Sequence, residues 1–252
     1  MSKFLTVAYG FAAYLFFLAT FSYAIGFVGN VAVPKSIDSG APAPLFEAVT
    51  VNLLLLGLFA AQHSIMARRS FKRWWTRFVP LSIERSTYVL AASLALALLL
   101  WQWRPITEPV IWRVETPALR LALEAVFWFG WAMLLISTFL INHFELFGLR
   151  QVLARLRGLE IPAPTFQTPV LYRHIRHPIY AGFLLAFWAA PEMSAGHLLF
   201  AVATTGYILI GIWFEERDLV SLFGDRYRLY REQVGMLIPR PRKSRHQGPV
   251  EP

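Results

Sequence analysis

Residues 171–182 read Leu-Tyr-Arg-His-Ile-Arg-His-Pro-Ile-Tyr-Ala-Gly, and residues 214–219 read Phe-Glu-Glu-Arg-Asp-Leu. The first cassette supplies Arg173, His174, Arg176 and His177, which hold a carboxylate or phosphate through charge-assisted hydrogen bonds. The second supplies Glu215 and Glu216, which suit an ammonium group or ribose hydroxyls. Tyr172, Tyr180, Trp213 and Phe214 add faces for a planar ring or a cation. Little except apolar residues lies between them, from Phe183 to Trp213. A hairpin of two short membrane helices would bring both cassettes to one face of a bilayer and leave a charged pocket beside lipid.

The elements that position such a pocket follow from composition. Of the 252 residues, 56% are hydrophobic and 15% charged, which removes most soluble classes and predicts an all-α integral membrane protein. Crossing the hydrocarbon takes about 20 apolar helical residues. Spans are expected near 4–29, 45–66, 86–103 and 119–141, followed by a shorter pair near 178–191 and 197–214, about six transmembrane helices in all. The first is expected to be a retained span rather than a cleaved signal. Zero cysteines exclude disulfides, thiolate metal sites and a cysteine nucleophile.

Charge placement orients these spans. Arg68, Arg69, Lys72, Arg73 and Arg77 fill the 67–82 loop, and Arg150, Arg155, Arg157, Arg173 and Arg176 the 142–177 segment. The 30–44 and 104–118 loops carry only Lys35, Arg104 and Arg113. The positive-inside rule then puts both termini and the pocket on the cytoplasmic side of the inner membrane. No nucleic-acid motif accompanies the basic loops, so membrane lipid is their expected partner. One membrane domain is expected over 1–252: helices and loops over 1–165, a cofactor-binding core over 166–240 and a basic tail, expected to be disordered, over 241–252. Pro162, Pro164 and Pro169 interrupt any helix there, so 142–177 should pack beside the hairpin, and the stretch after Asp218 should form an amphipathic surface helix. The sequence carries no signature of an oligomeric state.

Polar residues inside the spans add candidates. Asn52, Phe59 and His63 share a face of the second span, and Thr138, Asn142 and Glu145 share one at the end of the fourth, with His143 about 100° away. Such groups usually face a bundle interior, and both sets are expected at the depth of the cassettes. His174 and His177 are three apart, with neither an HxxxH nor an HExxH pairing, so no metal site is expected.

S-adenosylmethionine combines the anionic, cationic and planar features the two cassettes would match. The order YRHIRHPIYAG, apolar hairpin, EERDL, FGDRYRLY and Pro239-Arg240 resembles the isoprenylcysteine carboxyl methyltransferase and phospholipid methyltransferase superfamily. Upstream, AAQHSIMARRSFKRWW, IERSTYVL and WQWRP resemble the branch that holds the methanethiol S-methyltransferases and a membrane family associated with nitrite and nitric oxide reductase clusters, and INHFELFGLRQV looks like the methanethiol enzymes in particular. The resemblance implies an S-adenosylmethionine-dependent membrane methyltransferase without a Rossmann fingerprint. It implies cofactor contacts at Tyr172, Arg173, His174, His177, Pro178, Tyr180, Gly182, Glu215 and Glu216.

The reaction so implied moves a sulfonium methyl to a small thiol by in-line displacement, giving dimethyl sulfide from methanethiol. The acceptor must lose its proton, and His63, His143 and the cluster containing Arg176 are candidates to favour the thiolate. Asn52, Phe59, Asn142, Phe144 and Glu145 are expected to line the acceptor site. Phe59, Phe144, Trp188 and Trp213 are expected to turn inward and close its mouth. Two alternatives remain: methylation of a lipid headgroup or prenylcysteine carboxylate, and a non-enzymatic membrane component of nitrogen-oxide metabolism.

Overall fold

In a computed structural model of the protein, residues 2–160 and 166–240 are described. Five helices are long and apolar enough to cross a membrane: α1 (Lys3–Gly29), α2 (Leu45–Ala67), α4 (Leu81–Gln102), α5 (Pro117–Ile141) and α9 (Ala195–Phe223). Their starts are written in the sequence. Ser2 caps α1 by accepting from the Leu5 amide at 3.2 Å, Pro44 and Pro80 precede α2 and α4, and Pro117 opens α5. α4 begins five residues before the expected 86 because Pro80 ends the preceding turn and Glu84 favours the first turn of a helix. Many large side chains on these helices, such as Leu54, Trp128, Phe129 and Ile210, stay exposed in the isolated chain and suit lipid.

The expected sixth span differs. α8 (Pro178–Trp188) has 11 residues, about 16 Å of helix against a hydrocarbon core of about 30 Å. Ala189–Pro191 ends it, and the chain continues through the strand β2 (Glu192–Ser194), which pairs antiparallel with β1 (Val110–Arg113). Non-helical backbone at this depth is tolerated because its polar groups are satisfied inside protein. Val114 N donates to Pro191 O at 2.9 Å, Trp112 Nε1 to Ala190 O at 2.9 Å and Gly196 N to Ile106 O at 2.8 Å.

This end of the bundle is plugged. Trp103 and Ile37 are fully buried, with Trp103 Nε1 donating to Ile37 O at 3.0 Å. Asp38 accepts from Ser194 and from Asn30, and His197 Nε2 bonds the Phe187 carbonyl at 3.0 Å.

At the other end lie the short helices α3 (Arg69–Trp75), α6 (His143–Leu146), α7 (Leu149–Arg157) and α10 (Asp225–Gln233). The expected packing of 142–177 beside the hairpin holds only for its last residues. α7 lies instead on α1 and α4, with Val152 against Gly10, and Arg85 Nε of α4 donates to Leu146 O at the end of α6 at 2.7 Å. The expected amphipathic stretch from Asp218 is interrupted at Gly224 as its sequence suggests, but its first part continues α9 instead of forming a separate helix. α9 runs on to Phe223, Gly224 turns the chain with a φ of 58°, and α10 follows. Arg68 and Arg69 of the 67–82 loop reach α9 rather than only lipid: Arg68 lies 3.6 Å over the Phe214 ring, and Arg69 donates to Asp218 O at 3.3 Å. Residues 161–165, which hold Pro162 and Pro164, and the tail 241–252 fall outside the described residues.

α5 and α8 cross backbone to backbone. A Cβ on Gly182 would fall 2.6 Å from Gly130 O and 3.0 Å from Leu134, whereas one on Gly206 of α9 meets nothing within 4 Å. Gly182→Ala should therefore cost about 1–3 kcal/mol by overpacking. Gly206→Ala should be neutral or stabilising by up to about 1 kcal/mol. Thermal unfolding of both variants in detergent checks this, and equal midpoints would contradict the contact.

Candidate active site

The first cassette leaves the membrane helices as a single 3₁₀ turn, Val170–Arg173, and then extends. Ile175 bridges Gly235 in parallel, Arg176 N donates to Gly235 O at 2.8 Å and His177 N to Met236 O at 3.1 Å. Pro178 then opens α8, where its missing N–H costs nothing. The second cassette sits inside α9, about two turns before its end. Extended backbone on one side and a helix on the other bring the two cassettes together as the sequence predicts.

Their meeting point is the Glu216 carboxylate. Oε1 accepts from Arg176 Nε at 2.8 Å and His177 Nε2 at 3.1 Å, while Oε2 accepts from Arg231 Nε of α10 at 3.1 Å. Arg176 Nη1 continues to the carbonyls of Arg231 at 3.0 Å and Val234 at 2.5 Å. Glu216, Arg176 and His177 are all buried. Arg176 is thus engaged inside the protein rather than offered to a ligand, and Glu216 acts as a clamp joining α8, α9 and the C-terminal segment.

Glu215, one residue away, is 44% exposed, 3.9 Å from His177 Nδ1, and faces the Tyr180 hydroxyl. Arg173 and His174 are exposed nearby in sequence, with Arg173 Nε donating to Thr168 O at 3.3 Å. Tyr172 is buried beneath them, its hydroxyl donating to Ser137 O at 3.4 Å and its carbonyl accepting from Tyr230. Burial pushes the Tyr230 hydroxyl up to about 12, and raises those of Tyr172 and Tyr227 further, so all three stay neutral donors. Glu215, beside His177 and Tyr180, is therefore the carboxylate left able to meet a cationic or hydroxyl-bearing ligand, with Arg173 and His174 exposed nearby in sequence.

Around Tyr180 lie two more tyrosines, Tyr88 of α4 and Tyr207 of α9. Tyr88 Oη is 2.9 Å and 3.1 Å from the two ring nitrogens of His63. Phe59 stacks on that imidazole at 5.4 Å, Tyr207 meets it edge-on at 6.5 Å, and Ser64 Oγ donates to Tyr207 Oη at 3.2 Å. His63 and Phe59 thus belong to the wall next to the cassettes.

The other expected residues are placed elsewhere. Asn52 lies at the plugged end, its amide Nδ2 donating to Arg104 O at 2.7 Å and its Oδ1 accepting from Arg104 N at 2.8 Å. The reason is length: eleven residues separate it from His63, about 16 Å along the helix, so a shared face is not a shared depth. Asn142 and Glu145 form a reciprocal cap on α6, with Asn142 Nδ2 donating to Glu145 Oε2 at 2.8 Å and Arg150 pairing with the same oxygen at 2.5 Å. Asn142 and Phe144 line an open cleft of about 470 Å³ with Arg150, Leu153 and Arg157. Phe144, Trp188 and Trp213 are exposed, so the expected aromatic closure of the mouth does not form; Trp188 turns out to bond Thr205 at 2.9 Å. Gly182 lies in the α5–α8 crossing described above.

His143 is buried between Phe139, stacked at 4.2 Å, and Phe147. Thr138 Oγ1 donates to Leu135 O at 2.7 Å and so accepts from His143 Nδ1 at 2.8 Å; Tyr14 then donates to Nε2 at 2.7 Å. Both nitrogens are bound within the wall, which makes the residue a packing group. Among the described residues, no group of three His, Asp or Glu is placed to hold a metal ion.

The chain resembles known proteins over nearly its whole length. The chain is 61% identical to a methanethiol S-methyltransferase of Mycobacterium tuberculosis over 96% of its own length and 99% of the relative's. It is 60% identical to methanethiol S-methyltransferase 1 of Bradyrhizobium diazoefficiens over 94% of its length and 83% of the relative's. The chain belongs to the methanethiol S-methyltransferase family. Nurim of Bos taurus is a more distant relative, 33% identical over 67% of this chain and 66% of its own. No family model matches the chain, and no solved structure matches it.

Arg231, Tyr88 and Tyr207 escaped the sequence reading. Arg231 is fifteen residues from Glu216 and meets it only because Gly224 reverses the chain. Tyr88 stands in the IERSTYVL motif and Tyr207 in an apolar span; a tyrosine near the polar end of a span was the available signal.

Removing the clamp should unfold the core where removing its neighbour does not. Glu216→Gln leaves Arg176 buried without its counter-charge, which costs about 3–5 kcal/mol. Glu215→Gln should leave the unfolding midpoint nearly unchanged, and thermal scans separate the two.

A second expectation concerns acid. Burial holds His143 below the usual histidine range, so below about pH 6.5 the unfolded chain binds a proton that the folded chain refuses. Stability at this residue is complete above that pH and lost as pH falls. The acid slope of stability should flatten in His143→Gln.

Proposed function

We propose that this chain methylates methanethiol to dimethyl sulfide, taking the methyl group from S-adenosylmethionine at the pocket of Glu215, His177 and Tyr180. The single observation that carries the acceptor is the family relationship over nearly the whole chain. The donor set supports the cofactor: an unclamped carboxylate suits the donor's ammonium group or ribose hydroxyls, and neutral tyrosine faces suit its adenine. When bound, the donor supplies an electrophilic methyl on a sulfonium. The protein's part is to hold that group against Glu215 while the Glu216 clamp keeps α8, α9 and the C-terminal segment in one geometry, which is where most of the rate of an in-line displacement arises. His177 is fixed by Glu216 at one nitrogen and presents the other to Glu215.

The pocket end is the basic end, so the positive-inside rule supports a cytoplasmic pocket. A polar donor then arrives from the cytoplasm, and a small thiol partitions through lipid. Methyl transfer to a thiol of one carbon needs no long acyl or prenyl groove.

Purified protein in nanodiscs, given methyl-labelled S-adenosylmethionine and methanethiol, should place the label in headspace dimethyl sulfide. Label in phospholipid or in a farnesylcysteine analogue instead would overturn the thiol assignment. Glu215→Gln should weaken donor binding about ten-fold by calorimetry, and unchanged affinity would remove Glu215 from the site. In this cysteine-free chain, Ser70→Cys should react with an impermeant maleimide only from the cytoplasmic side and Ser39→Cys only from outside; the reverse would invert the topology.

A further inference from the structure

Four helices contribute to the wall beside Glu215: α2 with His63 and Phe59, α4 with Tyr88, α8 with Tyr180 and α9 with Tyr207. Of the other histidines near the two cassettes, His143 and His177 have ring nitrogens tied into the fold or into the clamp, and His174 is exposed. His143 is bound at both nitrogens, and His177 is held by Glu216. His63 differs. Its hydrogen-bond partner among the described residues is a single hydroxyl, Tyr88 Oη, which is near enough to Tyr180 to interact with it electrostatically, as Glu215 also does. Phe59 fixes the plane of the imidazole and Tyr207 its edge, so the pair is held in one orientation.

We infer that His63 and Tyr88 are the acceptor-activating pair, with Tyr88 touching the thiol and His63 receiving its proton. This deepens, and rests on, the methanethiol reading above. The need is chemical: an alkanethiol is largely protonated at neutral pH, and the thiolate is the nucleophile. Tyr88 passes its own proton to His63 as it takes the proton of the thiol S–H. The thiolate sulfur then forms its bond to the donor methyl while the methyl–sulfonium bond breaks, its electron pair staying on the departing sulfur. Charge balances: the sulfonium's positive charge is replaced by that of protonated His63, which returns its proton to water. The charged and titratable groups facing this pair are Arg85 and Glu84 on α4, Tyr207 on α9, and Tyr180 with Glu215 across the pocket. Tyr88 is the catalytic residue of the two, and His63 acts through it as a positioning and proton-accepting residue.

The test uses His63→Gln and Tyr88→Phe in nanodiscs. Calorimetry with S-adenosylhomocysteine should give wild-type affinity for both, showing the donor pocket intact. At about pH 7 each variant should lose about 100-fold in kcat with methanethiol. That loss should shrink by about ten-fold per pH unit toward pH 9, as solution thiolate replaces the missing base. At fixed pH, 2,2,2-trifluoroethanethiol, which is acidic, should lose far less than ethanethiol of the same chain length. A loss independent of pH and of thiol acidity, no loss at all, or weakened product binding in both variants would overturn the pair while leaving thiol methylation in place. A wild-type protein that binds the product analogue yet methylates no thiol would overturn the function on which the pair rests.

Discussion

Everything at the working end of this molecule depends on how one buried carboxylate is neutralised. Glu216 lies among three cationic or proton-donating groups drawn from two other parts of the chain: Arg176 and His177 before α8, and Arg231 on α10. A carboxylate in such surroundings is tolerable only when every partner is present, because each ion alone would carry a desolvation cost of several kcal/mol. The requirement is mutual. Arg176 needs Glu216, and its remaining donors fasten the carbonyls of Arg231 and Val234, so the C-terminal segment cannot leave without stranding a buried charge. Gly235 completes the fastening, since a Cβ there would run into the Ile238 carbonyl. The clamp stabilises one arrangement of α8, α9 and residues 234–238, and that arrangement presents Glu215, Tyr180 and the second nitrogen of His177 on its open side.

The rest of the bundle gives this site its one-sidedness. At the far end, the β1–β2 pair, the Trp103–Ile37 contact and the Asp38 hydrogen bonds fill the space between helices with satisfied polar groups. Half-length α8 contributes to this: its buried extended continuation passes the polar backbone of the plug into protein rather than lipid. On the proposed function, a charged donor and a lipophilic acceptor would meet at this boundary, with His63, Tyr88, Tyr207 and Tyr180 between the charged side and the apolar side.

The sequence made the two cassettes and the long spans legible because both rest on local rules: apolar length for the spans, and side-chain chemistry at the ends of a hairpin for the pocket. It was equally clear that Glu215 and Glu216 would meet His177. Which carboxylate would be clamped and which left open was not legible, since adjacent helical residues differ by about 100° and only the position of Arg231 decides between them. Asn52 was misplaced because a helical face repeats along the whole span while depth does not. Phe144, Trp188 and Trp213 were expected inside on size and apolarity, a rule that fails beside lipid, where large apolar side chains are as comfortable outside the bundle as within it. Asn142 and Glu145 looked like a ligand set and are a helix cap; the three-residue spacing that suggests one also defines the other.

On the proposed function, Glu216 serves the fold and Glu215 the ligand. Determining the structure of the protein bound to S-adenosylhomocysteine in a lipid nanodisc tests it most directly. The amino-acid or ribose end of the ligand should lie on Glu215, beside Tyr180 and His177, with the Arg176–Glu216–Arg231 contacts unchanged. A ligand carboxylate on Arg176, with Glu216 swung away from it, would contradict it.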